Sequence, residues 1–389
     1  MSGAAGHISH IHECWDLSFS DLEDFIEYVS FGNLEAFEKF DGVNIVFSLK
    51  EDGQLVFARG SNDIKSGGLS LQDLKQKFAD RPKILDAFVS AYQVLDLALG
   101  SLFPAQKHDF FYAVGQTWYS AEIIYSQLAN VITYSSNCLV LHESPVFRVG
   151  FDGVLRSCTV IESRNFHKSI DQLNSAVATT GWSIIGPHKV KIQKFDSDRF
   201  SAALDSIRDI KGLNYDSTLR EYVYVSLQKN LHNLLPELSN EIRLEVAKRI
   251  CKYENYKSLT DIKKMIRSKA TIEKIRDLVG KETELINAAI QPIEEIFYEF
   301  SIAALAGLSS SILKDSFVTS IRISERVRDA MISQANNSSA SRHIQKLKLT
   351  DAIDIRLEGV VFVWKQRLIK LTGQFAPANA LLGVEKYGR

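Results

Sequence analysis

Between residues 196 and 349 apolar residues recur at helical spacing almost without a break, interrupted only by the Ser/Asn-rich stretch QANNSSA at 334–340. The segments on either side have a different period. VNIVFSL, SAEIIY and NCLVLHES on one side, and EGVVFVW near the other end of the chain, read as short strands. Strands, then a long helical block, then strands again leave few ways to fold. A two-stranded ribbon alone is marginal in water and exposes its edges, so the last strands must return to the first sheet. The expectation is one α+β core, residues 1–195 and 350–389, interrupted by a mostly α-helical insertion domain, residues 196–349.

Local signals fill in this frame. SDLEDFIEYV at 20–29 opens with Ser20 and Glu23 at capping-box spacing and continues with Leu22, Phe25, Ile26 and Val29, which predicts an amphipathic helix. Residues 70–99 carry a second helical pattern through Leu71, Leu74, Phe78, Leu85, Phe88 and Leu95. Strand-like runs are DFFYAV at 109–114, then SAEIIY, NCLVLHES and VLRSCTVIES up to residue 163. Asp41-Gly42 and Asp52-Gly53 are turn signals between strands.

With a formal net charge of −1 the chain has no global basic signature, so any contact with nucleic acid must come from a local patch. The four cysteines are scattered, with no CxxC pair, which fits a reducing cytoplasm. The most apolar stretch, AAIQPIEEIFYEFSIAALAGL, holds three glutamates and a proline and reads as a buried helix, not a membrane span. No signal peptide is visible, and a soluble cytoplasmic protein without membrane contact is expected. His7, His10, His12 and Cys14 lie close together but match no closed zinc site.

Lys39 stands out chemically. An ammonium group heading a strand gains nothing from burial unless it is paired, so Lys39-Phe40-Asp41-Gly42 is either a lysine before a turn or a nucleophile with partners elsewhere. Candidate partners follow in the chain. Arg59 lies seventeen residues after Gly42, Glu122 sits in SAEIIY, Glu358 opens EGVVF, and Lys370 sits in the strand-like Ile369-Lys370-Leu371.

In that order these segments resemble the motifs of the covalent nucleotidyltransferases, which comprise ATP-dependent DNA ligases, RNA ligases and capping guanylyltransferases. KFDG corresponds to the nucleophile motif KxDG, and Glu143 falls loosely where the family often has a further strand motif. The resemblance covers about a fifth of the chain and spans both ends of it. It implies a nucleotidyltransferase core with an ATP-grasp-like antiparallel sheet. It implies ATP as donor, Mg²⁺ or Mn²⁺ as the ion, and a lysyl–AMP phosphoramidate on Lys39. Glu358 would be the metal ligand; Glu38, Phe40, Asp41, Asn44, Arg59, Glu122 and Lys370 would surround the nucleotide. The fifth motif often carries KxK, whereas Thr372 takes the second place here, and Lys365 is the candidate substitute. Attack on an α-phosphate needs a deprotonated amine, so burial beside other positive charge is expected to lower the Lys39 pKa. Gly42 and Gly359 are expected to let the backbone approach the nucleotide.

Only 38 residues precede Lys39, which disfavours an NAD-dependent ligase, and sixteen follow Gly373, too few for the OB-fold of DNA ligases and capping enzymes. The closer resemblance is to RNA ligases, among them ligase-like proteins of tailed bacteriophages, which would act in the host cytoplasm. The helical block could replace the OB domain. From Arg243 to Arg276 there are eleven Lys/Arg against four Asp/Glu, with Tyr253 and Tyr256 interleaved. Lys248, Arg249, Lys252, Lys263, Lys264 and Arg267 are the candidate nucleic-acid contacts, and Lys189, Lys191 and Lys194 would extend that surface. RNA is the expected partner ahead of DNA. The alternatives are an ATP-dependent DNA ligase with an atypical accessory domain and a non-catalytic nucleic-acid-binding protein on the same fold.

Overall fold

In the computed structural model, Lys39–Gly42 is a joint between two sheets, not a hairpin turn. The structure describes residues 8–387 except 33, 112–113, 129–130, 133, 135, 150–154, 159–165, 187, 195–196, 211–213, 307, 309–324, 337 and 349–356. Ten strands are described: β1 (Leu34–Lys39), β2 (Val43–Leu49), β3 (Leu55–Ala58), β4 (Thr117–Ile124), β5 (Asn137–Val149), β6 (Leu155–Cys158), β7 (Trp182–Ile185), β8 (Lys189–Ile192), β9 (Gly359–Trp364) and β10 (Arg367–Leu371). They form a four-stranded antiparallel sheet in the order β10-β9-β1-β8. The second sheet runs β3-β2-β4-β5-β6, with β7 parallel to β5. The chain is thus mixed α+β with two sheets.

The C-terminal strands do return to the N-terminal part: β9 pairs with β1, Lys39 opposite Gly359 and Phe37 opposite Val361. The hairpin joining β9 to β10 turns at Lys365 and Gln366, both at left-handed φ (43° and 63°), as a type I′ turn requires. Asp52-Gly53 is a true hairpin turn between β2 and β3, with Gly53 at φ +84°.

Each sheet buries a face under helices, and on the six-stranded sheet part of the second face, at Ile124, Cys138 and Val140, is also covered, by the helices Ser338–Lys348 and Phe375–Tyr387. On the four-stranded sheet Ala36, Val360, Phe362, Ile369 and Leu371 share a core with the helix Phe19–Ser30 and the helices between residues 197 and 306. Phe25 sits at its centre, its ring within 5.3–6.3 Å of Phe297, Phe300, Phe362 and Trp364. The helical segment therefore does not stand apart, since its apolar face completes the core of the first sheet. The six-stranded sheet buries Ile45, Phe47, Phe57, Tyr119, Ala121 and Leu139 against the helices Pro82–Gly100 and Phe166–Ala176. No described helix is long and apolar enough to cross a membrane.

Several local expectations shift. The first helix starts at Phe19, and its capping box is Ser18 with Asp21, not Ser20 with Glu23: Asp21 N–H donates to Ser18 Oγ and Ser18 N–H to Asp21 Oδ2. Residues 70–99 form two helices, Leu71–Lys77 and Pro82–Gly100, because Pro82 starts a new one. Asp109–Phe111 close a helix, Pro104–Phe111, and are not a strand; Phe110 and Phe111 pack beneath Tyr119, whose hydroxyl donates to the Phe110 carbonyl. The end of VLRSCTVIES, from residue 159, and His7 lie outside the described residues.

Candidate active site

The register explains which side chains meet. Opposed residues in antiparallel strands point to the same face. Lys39 and Phe37 of β1, Val361 of β9 and Lys370 of β10 therefore share one face of the four-stranded sheet, the face away from the helical core. Lys189 and Lys191 of β8, opposite Phe37 and Glu35, lie on that same face. On the six-stranded sheet Asn44 is opposite Glu122 and Glu122 opposite Val140, on the face turned from the helices Pro82–Gly100 and Phe166–Ala176. The joint at residues 40–42 brings the two faces together.

Three carboxyl groups converge on Lys39. Glu358 Oε1 is 2.5 Å from its Nζ, and Glu122 and Asp41 act on it electrostatically. Burial opposes the charge on Lys39, but Glu358, Glu122 and Asp41 outweigh it, and its pKa is raised. The lowered pKa expected from the sequence is therefore not found at Lys39: carboxylates, not cations, are its nearest charged neighbours. The lysine whose pKa is pushed down is Lys370, by burial first and partly by Lys39, against the opposing pull of Glu13 and Glu358.

The carboxyls feel the same crowding. Burial raises Glu122 to about 7, Lys39 opposes this, and Glu358 adds to it. Asp41 is likewise raised to about 7 by burial and by Glu358, although the Ile132 N–H donates to its Oδ2 at 3.0 Å. Glu358 is also raised by burial, with Lys39 holding it back. The Asp41 N–H donates to the Tyr134 hydroxyl at 2.8 Å, tying the joint to the six-stranded side.

Asn44 Nδ2 donates to Ser120 Oγ at 3.0 Å, to the Ala121 carbonyl at 3.3 Å and to Glu122 Oε2 at 3.4 Å, while its Oδ1 is buried without a hydrogen-bond partner. A buried acceptor left unmade beside a charged cluster is an opening for a ligand's donor. Arg59 donates to the Asn44 carbonyl, lies 5.7 Å from the Phe88 ring centroid, and feels Glu122.

Both glycines are required by protein packing. A Cβ on Gly42 would lie 2.7 Å from Glu122 Cγ and from the Ile123 carbonyl oxygen; one on Gly359 would lie 2.0 Å from the Leu371 oxygen. The close neighbours are the facing strand and the adjoining one.

Lys39, Asp41, Asn44, Arg59, Glu122, Glu358 and Lys370 thus form one cluster. Three other candidates fall outside it. Glu38 points to the opposite face of β1, where its carboxylate is buried 2.9 Å from His188 Nδ1. Phe40 is core, packed with Ile124, Ile132, Tyr134 and Phe375. Lys365 occupies the far turn of the β9–β10 hairpin, ion-paired with Asp21 and Asp24 at 2.6 and 2.9 Å. Tyr134 and His142 belong to the site's surroundings and carry no sequence motif. His142 is a neutral imidazole, driven down to about 4 by burial and by Lys39. It is the second residue after Val140, and alternation along LVLHES places it on the Glu122 face once the register is known. The Glu143 side chain lies outside the described residues.

The basic helical patch is partly self-neutralised. Lys248 pairs with Glu245, Arg249 and Lys252 with Glu282, and Lys264 with Asp261. Tyr253 stacks on Tyr224 at 4.6 Å, and Arg249 covers the Tyr256 ring at 5.5 Å. Arg267 is exposed and Lys263 half-buried.

No group of three or more metal-ligating side chains preformed for an ion is found among the described residues. Compared with models of known protein families, with curated proteins and with solved structures, the chain gives no match.

Proposed function

We propose that this chain is a covalent nucleotidyltransferase, an ATP-dependent RNA ligase that joins 5′-phosphate and 3′-hydroxyl ends through AMP carried on Lys39. One observation carries this reading. A half-buried lysine at the joint of the two sheets is ringed by Glu358, Glu122 and Asp41, with Lys370 on its own sheet face and Arg59 beside Glu122. A structural lysine needs one counter-ion, and crowding buried Glu122 and half-buried Asp41 and Glu358 around one ammonium is costly to the fold. Sites of perturbed charge in a cleft are where chemistry is arranged.

Glu358 would be the ligand of a hard divalent cation such as Mg²⁺, with Asp41 and Glu122 adding negative charge near it. Bound there, the ion would supply positive charge to offset the carboxylates and the triphosphate. The chain's own residues do the rest. In the resting state Glu358 holds Lys39 as an ammonium, aimed and unreactive. A neighbouring carboxylate takes one proton from Nζ, and Asp41 and Glu122, with pKa values near 7, are matched to that task. The freed Nζ lone pair attacks the α-phosphorus of ATP; the N–P bond forms, the bond to the bridging oxygen breaks, and pyrophosphate leaves. Lys370 and Arg59 are the cations that would meet the phosphate charge. The AMP is then transferred to a 5′-phosphate, and a 3′-hydroxyl displaces it to seal the strand.

The experiment is incubation with Mg²⁺ and α-labelled ATP or GTP, denaturation, and detection of label on the protein beside Lys39→Ala. Label from ATP that disappears in the variant is expected. Absence of label from protein shown by mass to be unmodified at the start would remove the enzyme reading. Sealing assays on nicked RNA, single-stranded RNA and nicked DNA then identify the substrate.

A further inference from the structure

A cavity of about 530 Å³ lies at the edge of the four-stranded sheet, where the N-terminal segment runs beside β10 through a parallel bridge from Ser9 to Ile369. Its size falls within the ~300–1,000 Å³ typical of small-molecule sites. One wall is apolar: Ile11, Trp15, Ile286, Ile290 and Phe297. The other is polar, with His12, Arg342, His343 and Lys370. Glu13 and Glu294 also line it, and Lys346 pairs with Glu294 at 3.0 Å.

Two observations point to an anion. His12 Nδ1 is buried with no hydrogen-bond partner. The second is that Arg342 and Lys370 both line the cavity; burial holds His12 and His343 below the ordinary histidine range, although Glu294 and Glu13 pull His12 upward more strongly than Lys346 and Lys370 push it down. An anion would give the His12 ring a partner and meet the Arg342 and Lys370 side chains that line the cavity. The apolar wall with Trp15 suits the face of a base or sugar. Lys370 belongs to both places: it lines this cavity and shares the sheet face of Lys39. A phosphate held here would therefore lie next to the nucleotide cluster.

We propose that this cavity, between the N-terminal turn, the helix Glu282–Ala306 and β10, binds the 5′-phosphorylated terminal nucleotide of the strand to be joined. Arg342 and His12 meet the phosphate, and the apolar wall meets the nucleoside. This inference rests on the ligase reading and names where that enzyme's second substrate sits.

The test is equilibrium binding, by fluorescence anisotropy, of a short single-stranded RNA carrying either a 5′-phosphate or a 5′-hydroxyl. The full-length protein is used, alongside Arg342→Ala and His12→Asn. A preference of about tenfold for the phosphorylated strand is expected, abolished in either variant while both melt at the wild-type temperature. Arg342 is exposed, so its variant keeps the test valid even if His12→Asn does not fold. Equal affinity for the two strands overturns the proposal, as does a preference that survives in Arg342→Ala. Displacement by inorganic pyrophosphate without any 5′-phosphate preference would assign the cavity to the leaving group and overturn it too. Labelling of wild-type Lys39 from ATP is read in parallel: label without a 5′-phosphate preference refutes the cavity alone, and no label refutes the ligase reading itself.

Discussion

Replacing Lys39 with methionine should make the stability of this protein depend sharply on pH. The Nζ–Glu358 pair at 2.5 Å is removed, and Asp41 and Glu122 lose the cation that partly offsets their burial. Even with Lys39 present, the rise of Glu122 from 4.5 to about 7 corresponds to roughly 3 kcal/mol of bias against its charged form. A carboxyl with a raised folded pKa binds its proton more tightly in the native state. Stability therefore falls as pH climbs from the unfolded value towards about 7 and levels off above it. Lys39 works in the opposite sense. Its folded pKa is raised above 10.5, so its contribution is fully present at neutral pH and disappears only in strong alkali. Without it, the carboxyls move still higher and the penalty above neutrality grows. Breaking a fully buried ion pair by removing one partner costs about 3–5 kcal/mol, and because Lys39 and Glu358 are 23% and 13% exposed the lower end of that range is the loss expected at about pH 8. Near pH 5, with the carboxyls protonated, only hydrogen bonding is removed, about 1 kcal/mol. Urea midpoints of wild type and Lys39→Met at the two pH values give both numbers. Adding Glu358→Gln should restore part of the loss at high pH only. An equal loss at both pH values, or a methionine variant more stable than wild type at high pH, would refute the argument that Lys39 neutralises ionised buried carboxylates.

Gly359→Ala should cost about 2–3 kcal/mol, because its Cβ would meet the Leu371 oxygen at 2.0 Å and push β9 from β10; a melting temperature unchanged from wild type would contradict that close approach of the strands. Ser18→Ala should destabilise by about 1 kcal/mol through removal of the cap, with Ser20→Ala close to neutral, since Ser18 and not Ser20 accepts from the Asp21 N–H; the reverse order in chemical denaturation would place the helix start elsewhere. Replacing Lys263 and Arg267 by Ala should weaken RNA binding across sequences and reduce the slope of log K against log salt by about one for each phosphate that is no longer neutralised. An unchanged slope would take the helical patch out of the binding surface.

Much of the site was legible before any fold. Lys39, Glu122, Glu358 and Lys370, which the fold gathers into one cluster, already stood out by residue type and order, and the strand–helix–strand succession required the last strands to rejoin the first. Those signals are local in period and composition, and a periodicity of two or 3.6 survives without tertiary context. Register is not local. The pairing of Lys39 with Gly359, and of Lys370 with Val361, decides that the two lysines share a face, while Glu38, one residue away, faces the opposite side. Asp41-Gly42 carries the dipeptide of a hairpin, yet it joins two sheets, because β1 finds its partners among strands more than 140 residues away in sequence, β8 and β9. The sign of the Lys39 pKa likewise depends on how many carboxyls the fold gathers around it and how far water is excluded. Coulomb energy and desolvation follow distances in space, so the charge state of Lys39 was decided only by the tertiary structure.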